Sequence, residues 1–183
     1  FFLILYCILV TSKYHLRVNE DRKFHELNQV NFSKSIPATK IDSKLKGLKW
    51  ITPPFKDNVE EEINFIKDLK SQIQTDKRKK MVITHYSFIS SILDENFFSP
   101  SMAYTSDGSI IPLKNNKYSQ KYKNLVINLI KKNNVDVIYI VYPVHKGSIT
   151  DYLDKSCLKE KLIFKGVISY EIKRCKDLIG KNN

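Results

Sequence analysis

Glycine is scarce in this 183-residue chain: there are five, and none falls in GxGxxG or GxxxxGKS/T order. Backbone that wraps a phosphate needs those small residues, so nucleotide binding by a standard route is unsupported. The nucleophile elbow GxSxG, the HExxH zinc helix and any paired-histidine cluster are missing as well. No cofactor and no metal is implied. Cysteine is limited to Cys7, Cys157 and Cys175 without a CxxC pair, so neither a zinc knot nor a thioredoxin-type centre has its ligands. Arginine is sparse too: of 31 basic residues only Arg17, Arg22, Arg78 and Arg174 are arginines. The net charge of +12 therefore comes from lysines spread along the chain, and its densest block, Lys77-Arg78-Lys79-Lys80, reads as a solvated turn. With no aromatic-basic motif or recognition module beside it, the charge predicts no nucleic-acid partner.

What is present begins at the first residue. Phe1 to Val10 are apolar, and no charge appears before Lys13. Apolar residues fill every face, unlike a surface helix with its polar stripe. A bilayer span needs about 20 such residues, so the run reads as the tail of a transmembrane helix, residues 1–12, with its other half upstream. A signal peptide would need a basic start and a small-residue cleavage site, and the run passes instead into Thr11-Ser12-Lys13-Tyr14-His15. Residues 13–46 read as a juxtamembrane helix and linker: Tyr14, Leu16, Phe24 and Leu27 alternate with charges up to Leu27, and a polar stretch follows. Residues 47–183 are long enough for one soluble domain with a real core.

Within that domain helix and strand alternate. Pro53-Pro54 stops an extended approach, and Asp57 or Asn58 caps a helix carrying Glu60, Glu61 and Glu62 in its first turn. Val59, Ile63, Ile66, Leu69 and Ile73 form its apolar face. Met81 to Tyr86 reads as a buried strand, and residues 94–116 as a long loop carrying Phe97 and Phe98, which either close the core or touch a membrane. A second helix places Tyr118, Tyr122, Leu125, Val126, Leu129 and Ile130 on one side. Asp136 to Pro143 is the strongest strand, and its near-continuous apolarity predicts cover on both faces. A short helix over 149–157 and a strand over 167–172 complete the pattern. The expectation is an α/β domain: a small Rossmann-like, open, mainly parallel sheet with alternating helices.

Ligands of open parallel sheets bind beyond the carboxyl ends of the strands. His85 and His145 each fall at such an end, and Tyr86, Asp107 and Lys146 lie where they could join them. Two imidazoles, a phenol, a carboxylate and a cation suit a sugar or phosphate. The competing reading is that strand ends simply tolerate polar side chains. Cys157 and Cys175 can pair on an oxidising side of the membrane and stay reduced on a cytoplasmic one.

The order of features resembles a family. The helix exit, Leu48-Lys49-Trp50-Ile51-Thr52-Pro53, Ile83-Thr84-His85-Tyr86-Ser87-Phe88, the Tyr118–Tyr122 helix leading to Asp136-Val137-Ile138-Tyr139-Ile140, and the Cys157 and Cys175 pair are similar to bacterial polytopic membrane glycosyltransferases of the GT-C class. Those enzymes are akin to the dolichyl-phosphate-mannose protein mannosyltransferases and aminoarabinose transferase. The resemblance implies a C-terminal accessory domain in a multi-pass inner-membrane protein, with catalysis upstream and this piece inactive alone. It implies as partners the lipid bilayer, the upstream transmembrane domain, a polyprenyl-phosphate sugar and its acceptor. It also implies an extracytoplasmic, periplasmic location, where the Cys157–Cys175 bridge becomes plausible. Lys13, Arg17, Arg22 and Lys23 argue the other way, because basic residues beside a span favour the cytoplasmic side.

Overall fold

The computed structural model describes residues 2–16, 30–102, 104, 110–112 and 115–173. The chain forms two compact units, residues 1–68 and 69–183.

The first unit opens with helix α1, Phe2–His15, in which no side chain is buried and Phe2, Leu3, Ile4 and Tyr6 are each at least 65% exposed. At 14 residues it rises about 21 Å, short of the roughly 30 Å of a bilayer core. No helix among the described residues is long and apolar enough to cross a membrane. Residues 17–27, read as the rest of a juxtamembrane helix, lie outside the described residues. The stretch read as linker carries regular structure instead. Three 3-10 turns, Phe32–Lys34, Ala38–Lys40 and Ser43–Leu45, flank a two-stranded ladder of β1, Ile36–Pro37, and β2, Lys49–Trp50. Asn31 and Asp42 make these turns possible by accepting the Ser33 and Lys44 amides with their side chains.

Helix α2, Val59–Thr75, begins as its acidic first turn predicts. Asn58 is the N-cap: its Oδ1 accepts the Glu61 amide at 3.3 Å, and its own amide group donates to Glu61 Oε2. Val59, Ile63, Ile66, Leu69 and Ile73 are all buried, so the apolar stripe faces a core throughout. Glu62 is only 2% exposed yet satisfied, since Trp50 Nε1 and Thr52 Oγ1 both donate to its Oε2 at 2.8 and 2.7 Å. Those two bonds pin β2 to the start of α2.

The second unit is built on a four-stranded sheet in the order β3-β4-β6-β5: β3 is Lys80–Ile83, β4 Val137–Val141, β5 Leu158–Phe164 and β6 Val167–Ile172. Every residue of β3 and β4 is buried. On one face Met81, Ile83, Ile138, Ile140 and Tyr170 share a core with Val126, Ile127 and Ile130 of α4, Ser119–Asn133. On the other, Tyr139 reaches Asp76 just past the end of α2. The stripe of α4 is turned from the expected one: Ile127 is buried, whereas Leu125 and Tyr118 are 43% and 51% exposed.

The sheet is mixed, not mainly parallel. Only β3 and β4 run parallel, while β4–β6 and β6–β5 are antiparallel. After β4 the chain crosses to β5, which is antiparallel to β6 as β4 is, and so runs in the same sense as β4 but one strand further out. The helix there, α5, Gly147–Thr150, has four residues, and a 3-10 turn at Lys155–Cys157 leads directly into β5. Lys165 and Gly166 then reverse the chain, with Gly166 at φ +88°, a conformation open to glycine at no steric cost. The β5–β6 hairpin thus sets β6 between β5 and β4, against β4 in the opposite sense.

Edge strand β3 is not left bare. The Val82 amide donates to the Phe97 carbonyl at 3.3 Å, and Ser99 Oγ donates to the Val82 carbonyl, so residues 97–99 strap the strand.

Candidate functional site

Because β3 and β4 are parallel neighbours with Ile83 opposite Ile140, their carboxyl ends open on one sheet edge. That edge carries Thr84 to Ser87 on one strand and Tyr142 to Gly147 on the other. His85 and His145 are both there and both exposed. His85 Nδ1 lies 3.0 Å from the Tyr104 carbonyl, which can only accept, so this nitrogen holds a proton. His145 Nδ1 accepts the Gly147 amide at 3.1 Å, which puts the proton of the neutral ring on Nε2. In its neutral form each imidazole thus shows an opposite outer face, an acceptor at His85 and a donor at His145. They share no hydrogen bond with each other.

The other expected members separate. Tyr86 is 3% exposed and packs edge-on to Phe88, with ring centroids 6.2 Å apart, so its ring belongs to the interior. Lys146 lines a different concavity, described below. Asp107 lies outside the described residues. Cys157 is disulfide-bonded and Cys7 is a free thiol, while Cys175 lies outside the described residues.

A cavity of about 600 Å³ lies at this edge beyond β3, between helix α3, Phe88–Leu93, and the following loop. Thr84, Ser87, Asp94, Phe98, Ser101 and Tyr104 define its character: hydroxyls, a carboxylate and aromatic rings. Two of its residues hold left-handed backbone. Asp94, at φ +52°, ends α3 with its amide bonded to the Ser90 carbonyl. Phe98, at φ +49°, is the more telling, since a bulky side chain pays a steric penalty there of about 1–2 kcal/mol. The Phe98 amide bond to Asn96 Oδ1, at 3.0 Å, holds that turn. Beneath the wall, Lys80 is 3% exposed and ion-paired with Glu95, which itself lines the cavity.

A tyrosine cluster stiffens the back. Tyr104 Oη accepts the Ser101 amide at 3.2 Å, and burial followed by the neighbouring Tyr122 phenol pushes Tyr104 far above the ordinary range. The buried Tyr122 hydroxyl finds no hydrogen bond of good geometry; burial raises it to about 12, with the Tyr104 hydroxyl pulling the other way. Tyr122 stacks edge-to-face on Tyr152 at 4.9 Å, and the Tyr152 hydroxyl donates to the Pro112 carbonyl. Neutral phenols at every ordinary pH make this wall a source of hydrogen bonds and not of charge.

Among the described residues no group of three His, Cys, Asp or Glu side chains could hold a metal ion. The serines of the cavity and Asp94 were not singled out by pattern, because they sit in segments without a period. Only Phe97-Phe98 in an irregular loop gave a signal. Comparison with known proteins finds no matching family model, no matching curated protein and no matching solved structure.

Proposed function

We propose that this chain is a membrane-associated α/β module that binds a sugar in the cavity beyond β3, serving as the accessory domain of a transferase that uses a polyprenyl-phosphate-linked sugar. The observation that carries the reading is the lining: hydroxyls and a carboxylate facing aromatic rings in a space of about 600 Å³, at the sheet edge where α/β folds bind ligands. Sugars are recognised by that pairing, hydroxyl to hydroxyl or carboxylate and C–H face to ring. The strained Phe98 supports it, since strain persists where the surroundings gain from a fixed side chain.

Helix α1 supports the membrane part. From Phe2 to Val10 it is apolar on every face with no side chain buried, so its favourable surroundings are lipid or other apolar helices, as the tail of a transmembrane helix would have. The disulfide at Cys157 favours an oxidising, extracytoplasmic side over the cytoplasmic one that the basic residues after α1 suggest. The resemblance to GT-C glycosyltransferases in the order of sequence features supplies the donor class.

The test is a titration of the isotope-labelled chain, held in nanodiscs, with methyl glycosides of mannose, arabinose and N-acetylglucosamine. Amide shifts confined to Thr84, Ser87, Ser101 and Tyr104, lost in Asp94→Ala, are expected. Shifts nowhere, or shifts unaffected by Asp94→Ala, overturn the reading. The coding sequence upstream of Phe1 tests the transferase part: fewer than several apolar spans there would sink it.

A further inference from the structure

A second concavity, about 230 Å³, lies elsewhere in the same unit, bounded by α5, the 3-10 turn and the paired strands β5 and β6. Its lining is Lys146, Thr150, Lys155, Leu158, Glu160 and Tyr170. The local folding places them: Lys146 precedes α5, Lys155 opens the turn that Asp154 caps, and Glu160 and Tyr170 are register partners across the hairpin. Tyr170 is 4% exposed and donates to Glu160 Oε2 at 2.7 Å, so the floor is fixed.

The charges above that floor are not balanced. Among the described residues Lys146 and Lys155 have no ion pair and no side-chain hydrogen bond, although nearby Lys159 and Arg78 both reach Glu171. Two ammonium groups sharing one recess repel each other, and each offers three N–H donors without an acceptor. Glu160 offsets one of the two charges, and one oxygen of that carboxylate already holds the tyrosine. The recess therefore keeps a net positive charge and a surplus of donors. It differs in kind from the cavity beyond β3, whose lining carries the Asp94 carboxylate and no lysine or arginine.

We propose that this recess binds a phosphoryl group, gripped by Lys146 and Lys155. A lysine acts on phosphate as a point charge, and two of them on a rigid floor suit a phosphate or diphosphate with part of the group it is esterified to. Glu160 limits affinity by facing the same anion, which gives the site a signed signature: loss of a lysine weakens binding and loss of the carboxylate strengthens it.

The experiment titrates the full chain in neutral nanodiscs with inorganic phosphate and with pyrophosphate at constant ionic strength, following amide resonances. Shifts centred on Lys146, Thr150, Lys155 and Tyr170 are expected. Lys146→Gln and Lys155→Gln each weaken binding by roughly tenfold, the scale of one charge-assisted hydrogen bond. Glu160→Gln tightens it, and Lys132→Gln on α4 leaves it unchanged. Vesicles of phosphatidylcholine with and without phosphatidic acid identify the source. A phosphatidic-acid increment lost in the two recess variants assigns the site to a lipid headgroup, and an increment they do not alter assigns it to a free phosphorylated molecule. No shift at the recess with tens of millimolar phosphate, or an equal loss in Lys132→Gln, overturns the proposal. Because neither lysine lines the sugar cavity, failure here leaves the glycoside titration intact, and the reverse holds.

Discussion

Tyr139, in the centre of β4, donates its hydroxyl to Asp76 Oδ2 at 2.6 Å, tying the middle of the sheet to the residue just beyond α2. Asp76 is also clasped by Arg78, whose Nη2 lies 2.8 Å from the same oxygen and whose Nη1 reaches Glu171 on β6 at 3.1 Å. Helix end, central strand and neighbouring strand thus meet at one carboxylate. Burial by itself pushes Asp76 upward, but the bonds from Arg78 and Tyr139 outweigh it and hold the carboxyl at about 2 against an ordinary 3.8.

That depression has a sign. A folded-state value below the unfolded one contributes stability that is complete above about pH 4 and is lost as the pH falls through about 2. With Arg78 41% exposed and partly screened, the contribution is about 1–2 kcal/mol. Asp76→Asn is expected to melt lower than the parent at pH 7, with the gap closing toward pH 2. Thermal melts across that range check it. A gap that stays constant with pH would show that the carboxylate's charge is not the cause.

The buried Lys80–Glu95 pair predicts an asymmetry. Glu95→Ala leaves an ammonium inside the unit without its partner and is expected to cost about 3 kcal/mol. Lys80→Met replaces the charge with an apolar chain of similar length, leaves Glu95 near solvent at 33% exposure, and is expected to cost under about 1.5 kcal/mol. Urea denaturation of the two variants gives the comparison, and equal losses would contradict it.

Phe98 separates strain from recognition. Phe98→Ala removes the ring but keeps a β-carbon at φ +49°, whereas Phe98→Gly removes both. The glycine variant is expected to be more stable than the alanine variant by about 1 kcal/mol. Both are expected to lose glycoside binding. Chemical denaturation paired with the sugar titration reads the two effects independently.

Thiol chemistry reports on the compartment. Labelling of denatured, unreduced protein is expected to modify Cys7 and spare Cys157, which reacts after reduction. Mass spectrometry of the labelled peptides decides it. Cys157 modified without reductant in protein taken directly from cells would place the domain on the reducing side.

The elements that were legible in sequence are those whose burial is periodic or complete. Val59 to Ile73 repeat at helical spacing along α2, and Val137 to Val141 form an unbroken β-prone run, so both were read with nearly their observed limits. The β5–β6 hairpin was half legible. Val167 to Ile172 showed as a strand, but Leu158 to Phe164 carries Lys159, Glu160 and Lys161 in its exposed edge, and such charges also suit a solvated helix or turn. That one ambiguity changed the sheet from mixed to mainly parallel. At the site, strand ends pointed to His85 and His145, and they do share an edge. The cavity itself was not visible, because its serines and Asp94 come from aperiodic chain whose arrangement depends on the strap across β3. Lys146 was noticed, but its companions Lys155 and Tyr170 became neighbours only through the unforeseen hairpin.

The strap of Phe97 and Ser99 on Val82 also governs how the molecule tolerates change. Insertions between Thr84 and Asn96 cannot be absorbed as slack, because a shift of one residue would move the Phe97 carbonyl off the Val82 amide and expose the β3 edge to pairing with another chain. Lengthening this segment would therefore invite aggregation, and change at the cavity is confined to side-chain replacement at fixed loop length.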